Sequence, residues 1–132
     1  MYYQFTIDGV LNNLNDYLRA ERVNFKGKGG KLNTKGNIMK HEAQERIIGF
    51  IRRDLRGLHI TKPIRIHYKF FEPNRKRDLD NVMSFAMKVT QDSLVLAKVI
   101  DNDGWNNIYK ISAEFDVDAY NPRIEVYLIE KE

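Results

Sequence analysis

At 132 residues, with 42% hydrophobic and 30% charged residues, the chain describes a single globular domain large enough to bury one core without staples. It has no cysteine, which excludes disulfides, thiolate catalysis and cysteine-based zinc sites, and no apolar run approaches the ~20 residues of a membrane span. Net charge is only +4 but uneven: from Asp101 onward eight acids face three Lys/Arg, a balance of −5, while the first hundred residues carry ten acids and nineteen bases, or +9. Such asymmetry suits a polyanionic partner held on one side of the molecule. Met1-Tyr2-Tyr3-Gln4 has no signal-peptide character, so a cytoplasmic protein in a reducing interior is expected.

Tyr3, Phe5 and Ile7 alternate with polar residues and predict a strand ending at Asp8-Gly9. From Val10 to about Asn37 the asparagines and the run Gly27-Lys28-Gly29-Gly30 predict a long loop. Between Arg22 and Lys40 it carries six bases (Arg22, Lys26, Lys28, Lys31, Lys35 and Lys40) and no acid. Ala43, Ile47, Phe50, Ile51 and Leu55 recur at helical spacing, which predicts a helix from about Met39 to Arg56, stopped by Gly57. After Pro63, the alternation of Ile64, Ile66, Tyr68 and Phe70 with Arg65, His67 and Lys69 predicts a strand to about Phe71, closed by the turn Glu72-Pro73-Asn74. Val82, Phe85, Ala86, Val89 and Leu96 mark a second helix from about Asp80 to Ala97. Two more strands, centred on Tyr109–Phe115 and Ile124–Leu128, are expected to pair as an antiparallel hairpin around Asn121-Pro122. The order predicts an α+β fold with a small mixed or antiparallel sheet and two main helices.

Chemistry concentrates in Arg75-Lys76-Arg77-Asp78-Leu79-Asp80-Asn81, where three cations run into two carboxylates at the start of a helix. Residues two apart project oppositely in a helix and alike in extended chain. Asp78 and Asp80 therefore converge only if Asp78 is extended and Asp80 stands at the helix entrance. Hard oxygen donors of this kind suit Mg²⁺ or Mn²⁺, which activate water and neutralise a scissile phosphate. Lys88, on a polar helix face with Ser84 and Gln91, is placed to stabilise transition-state charge. Asp101-Asn102-Asp103-Gly104 forms a second acidic cluster, with a plain surface turn as its bland reading. For Asp80 or Asn81 alone the corresponding reading is a helix cap. Trp105 is expected to anchor a core or interface, and His41, His59 and His67 to be ordinary strand or surface residues. Tyr17, Arg19 and Arg22 are weaker candidates for touching a sugar-phosphate backbone.

This assembly resembles the RusA family of Holliday-junction resolvases, small endodeoxyribonucleases of bacteria, phages and prophages. The resemblance rests on Arg77-Asp78-Leu79-Asp80-Asn81 with its helix and on Val99-Ile100-Asp101-Asn102-Asp103-Gly104-Trp105. The opening Gln4-Phe5-Thr6-Ile7, followed by Asn12-Asn13-Leu14-Asn15, adds to it, and together these span most of the chain. It implies one RusA-like domain acting as a homodimer that binds four-way junction DNA and makes paired, Mg²⁺-dependent nicks, with Mn²⁺ as a substitute metal. The family's catalytic carboxylates map onto Asp78 and Asp80, with the third at Asp103 and Asp101 as the alternative. The family's lysine falls at Ser84 here, with Lys88 one turn later as its replacement, and the spacing to the acidic turn is a few residues longer. Arg75, Lys76, Arg77, Lys26, Lys28, Lys31 and Lys35 would grip phosphates. Two rivals stand beside this expectation: a non-catalytic nucleic-acid-binding protein, and a flap or fork nuclease of the same fold.

Overall fold

The computed structural model describes residues 1–26 and 32–132, and of residues 24–26 and 32–33 the backbone alone. In chain order the elements are β1 (Tyr2–Asp8), α1 (Leu14–Glu21), β2 (Asn24–Lys26), β3 (Leu32–Thr34), α2 (Lys35–Asp54), β4 (Ile64–Glu72), α3 (Leu79–Leu96), β5 (Ile108–Val117) and β6 (Arg123–Glu130). The fold is α+β, with a mixed four-stranded sheet in the order β1-β6-β4-β5 and a small antiparallel pair, β2-β3. No helix among the described residues is long and apolar enough to cross a membrane.

The core follows from the period-2 pattern of three strands. Ile64, Ile66, Tyr68 and Phe70 of β4, Ile124, Val126 and Leu128 of β6, and Phe5 and Ile7 of β1 all point to one face and are buried. Ile47 and Ile51 of α2 and Val82, Phe85, Ala86 and Val89 of α3 close over them in a single cluster. Each such side chain contributes about 1.5–3 kcal/mol relative to exposure, so this layer is the main source of stability. The one buried phenol, that of Tyr68, is met by the Gln91 amide, which donates to Oη at 3.3 Å. Gln91 therefore turns inward rather than sharing the polar face of Lys88.

The expected β5–β6 hairpin does not form. β6 inserts between β1 and β4, antiparallel to both, and β5 lies parallel to β4 on the outside. The reason lies in burial. The inward residues of β6 need neighbours on both sides, whereas β5 is largely exposed beyond Ile108. The chain between β4 and β5 passes through α3, and a helical crossover of that length returns a strand parallel to the first.

The long loop expected between Val10 and Asn37 contains structure. Asn13 caps α1 through a reciprocal pair: its side chain accepts from Asp16 N–H at 2.9 Å and Asp16 accepts from Asn13 N–H at 3.1 Å. Tyr17 then packs on Phe85, ring centroids 5.3 Å apart. Thr34 caps α2 by accepting from Asn37 N–H at 2.9 Å, so that helix begins at Lys35, four residues before the expected start. Lys35 is thus helical, Lys26 lies in β2 with only its backbone described, and Lys28 and Lys31 fall outside the described residues.

Among the described residues, Thr90 Oγ1 is the buried side-chain oxygen without a hydrogen-bond partner. Replacing it by the isosteric methyl of Thr90→Val removes an unsatisfied group costing about 1 kcal/mol or more. The expected result is a melting temperature raised by about 4 °C, read by thermal unfolding; a lowered one would show that the hydroxyl is satisfied.

Candidate metal and nucleic-acid site

The junction of β4 and α3 is built by a salt bridge of Arg77, a residue expected to grip phosphate. The Arg77 guanidinium grips Glu72 with two bonds, Nε to Oε1 at 2.8 Å and NH2 to Oε2 at 3.0 Å, and NH1 donates to Leu11 O at 2.8 Å. Both side chains are mostly buried. Arg77 is therefore an internal strut joining the end of β4, the start of α3 and the β1–α1 connection, and its fork is not free to take a phosphate. Arg75 and Lys76 are exposed on the bend before it, with Lys76 N–H donating to Asn74 Oδ1 at 3.0 Å.

With the bend held, Asp78 becomes the N-cap of α3. Its backbone is extended (φ −69°, ψ 143°) and its carbonyl accepts from Val82 N–H at 3.0 Å, but its carboxylate makes no capping bond. An N-cap aspartate normally satisfies a first-turn amide, so these oxygens remain available. Asp80 sits in the first turn, exposed, with Oδ1 accepting from Asn81 N–H at 3.0 Å. The backbone condition for the two carboxylates to project alike is met. The positive end of the helix attracts phosphate. Asp78 opens into a cleft of about 420 Å³ lined also by Arg75, Leu79, Phe115 and Asp116. Asp116, next to the last residue of β5, lines this cleft and had no signal in the sequence beyond strand alternation.

Two turns along α3, Lys88 forms a second centre. Its ammonium is 3.1 Å from Asp92 Oδ1, while Asp92 Oδ2 also receives Lys40 at 3.5 Å and the Gln44 amide at 3.3 Å. Asp92 holds the Lys88 pKa above the ordinary lysine value, first through the hydrogen bond and then through its charge, with a smaller contribution from Asp103. The sequence signal for Asp92 is its i,i+4 spacing from Lys88. Ser84 takes no part in this charge cluster. Its hydroxyl donates to Asp80 O at 2.6 Å, a bond within the helix.

The acidic turn is divided. Asp101 Oδ1 is 2.9 Å from His59 Nε2, whereas Asp103 contributes electrostatically at Lys88. Among the described residues, no three His, Asp or Glu side chains gather closely enough to hold one ion. Asp78, Asp80 and Asp103 thus do not form a closed triad. A Mg²⁺ site needs only one or two carboxylates when waters and phosphate oxygens complete it, and the uncapped Asp78 carboxylate with the exposed Asp80 fits that requirement.

Trp105 is not a core anchor: it is 94% exposed, directly after the acidic turn. Tyr17 belongs instead to the α1–α3 packing, and Arg19 is paired with Asp16 at 2.7 Å. His67 Nδ1 lies 2.6 Å from Ser112 Oγ on the open face of the sheet.

A folded pKa raised above the unfolded one adds stability below the ordinary lysine pKa, and that contribution is lost as pH rises through the folded value. The Lys88–Asp92 contribution is therefore present at neutral pH and disappears only in strong alkali. Asp92→Asn should return the Lys88 pKa toward that of a free lysine, read by NMR titration of the side chain; an unmoved value would mean that Asp92 does not control it. No family model matches the chain, and no curated protein matches it.

Proposed function

We propose that the chain is a Mg²⁺-dependent, structure-selective DNA endonuclease of the RusA type, acting in the cytoplasm of a bacterial or phage-infected cell and resolving four-way junctions by paired nicking in recombination and repair. The observation that carries this reading is the uncapped Asp78 carboxylate at the N-terminus of α3, beside Asp80 and in one cleft with Arg75. A cation-bearing bend next to free carboxylates is what hydrolysis of a phosphodiester asks for. Asp78 and Asp80 would hold the metal, which supplies Lewis acidity and an activated water when bound. Arg75 and Lys76 draw the backbone phosphates to the bend, and the α3 N-terminus adds its partial positive charge. Lys88, kept cationic by Asp92, stands ready to neutralise charge on the phosphate or leaving oxygen, with Asp103 beside it. Arg77 acts only by holding Asp78 in place.

The division of the acidic groups favours a second reading, a non-catalytic nucleic-acid-binding protein using the same basic bend. Cleavage of a synthetic four-way junction, a fork and a linear duplex with Mg²⁺ separates the possibilities. The expected result is metal-dependent paired nicking of the junction, reduced at least about 100-fold in Asp78→Asn or Asp80→Asn with junction binding retained. Binding without cleavage by the wild type in either Mg²⁺ or Mn²⁺ would overturn the nuclease assignment. Preferred cutting of forks or flaps would reassign the substrate.

The single tryptophan gives an independent readout. Trp105 stands exposed beside the acidic turn, and an exposed indole stacks readily on an unpaired base. Junction DNA should quench its fluorescence, and Trp105→Ala should weaken junction binding by about tenfold. Unchanged emission on saturation would place the DNA elsewhere.

A further inference from the structure

α2 and α3 cover one face of the four-stranded sheet, and the residues that alternate away from them line the other. On that second face Tyr2, Ile129, Arg65 and Lys110 stand side by side across the four strands. Tyr127, His67 and Ser112 form the next row, and Glu125, Lys69 and Glu114 the one after it.

The rows differ in how their charges are met. Lys69 is 3.3 Å from Glu114, and Glu125 is taken by Arg123 at 2.9 Å. Arg65 and Lys110 are adjacent across β4 and β5, and among the described residues neither meets a carboxylate or any other acceptor. Like charges side by side in a sheet repel, and Arg65 is partly buried, where an unpaired charge is costly. An anion between the two removes both penalties.

Beside Arg65 lies a cavity of about 450 Å³ walled by Tyr2, His67, Tyr127 and Ile129, with Glu132 as its acid among the described residues. The Tyr2 and Tyr127 rings are 6.4 Å apart and inclined at 44°. The Tyr127 hydroxyl donates to Glu125 at 2.7 Å, which orients that ring, and Lys69 Nζ lies 5.4 Å from its centroid. Tyr2 has no cation over it among the described residues and is 63% exposed, so its ring is open to a flat ligand.

We propose that this cavity binds a nucleoside monophosphate, the base lying on Tyr2 beside Tyr127 and the phosphate held between Arg65 and Lys110. Aromatic rings accept any base through its π face. The Arg65 fork suits two phosphate oxygens, and Lys110 adds a point charge. A phosphate monoester carries about −1.5 to −2 charges at neutral pH, which matches two unpaired cations, whereas a phosphodiester carries one. Charge therefore favours a free nucleotide over a link within a strand. Arg65 stands seven residues before Glu72 on β4, about 23 Å of strand. The cavity is thus separate from the Asp78 cleft and does not rest on the nuclease reading.

Isothermal titration calorimetry of the full chain with adenosine 5′-monophosphate tests it, with adenosine, inorganic phosphate and the dinucleoside monophosphate ApA for comparison. Binding at one site per chain is expected, at least about tenfold tighter than adenosine or phosphate alone. Arg65→Gln and Tyr2→Ala should each weaken it about tenfold, and Lys110→Gln more mildly. Their circular dichroism should not change, because these side chains lie outside the core. NMR amide shifts on binding should centre on Arg65, His67 and Tyr127. The absence of heat and of amide shifts at millimolar nucleotide would overturn the proposal, as would undiminished binding by Arg65→Gln. ApA has a diester and no terminal phosphate; if it bound more tightly than the monophosphate, the face would belong to an unpaired strand and the free nucleotide would be ruled out.

Discussion

The burial of one face of β4 is the constraint on which the rest of the molecule depends. Ile64, Ile66, Tyr68 and Phe70 are almost wholly out of water, and their strand is the one that both β5 and β6 pair with. A strand so placed must have a neighbour on each side and a helix layer above it. That requirement pulls β6 away from β5 and forces the return through α3. The same strand then delivers the chain to Glu72, where the bidentate bond from Arg77 converts a sheet end into a helix start. Removing either partner of that pair would strand a largely buried charge, which costs several kcal/mol in comparable pairs. The placement of Asp78 is thus a consequence of packing and one salt bridge rather than of local propensity.

The candidate site obeys a division of labour among like-charged residues. Of the three cations in the basic run, Arg77 is spent on structure and Arg75 and Lys76 stay exposed. Of the aspartates, Asp101 is paired with His59 and Asp92 with Lys88, whereas Asp78 has no capping bond. Composition cannot make these distinctions, since every member of a charge cluster looks equally available until its neighbours are placed. Tertiary placement decides them: the largely covered Arg77 and Asp92 find partners because leaving a charge unpaired there is costly, exposed Asp101 pairs with the neighbouring His59, and Asp78 keeps its carboxylate uncapped.

The sheet edges repeat this contrast at the level of the backbone. β1 is covered by Arg46, Arg53 and Asp54, and Arg53 also holds the Asp54 carboxyl below its usual range. Among the described residues, β5 keeps an open ladder and an apolar stripe beyond the helices. A sheet that covers one edge with ionic side chains while leaving the other bare is asymmetric in what it can bind, and the bare edge borders the acidic cleft.

Much of this was legible in the chain itself. Period-2 alternation marked β1, β4 and β6, helical spacing marked α2 and α3, and the switch between the two periods at Asp78–Asp80 located the candidate site, because those patterns are set by the residue's own backbone geometry. Even α1 had a local signature in Asn13 and Asp16, masked by the asparagines around it. Strand order, the insertion of β6, the inward turn of Gln91, the commitment of Arg77 to Glu72 and the sharing of Asp92 were decided only by tertiary structure. Each depends on which groups compete for one buried partner or one uncovered ladder, and sequence distance carries no information about that competition.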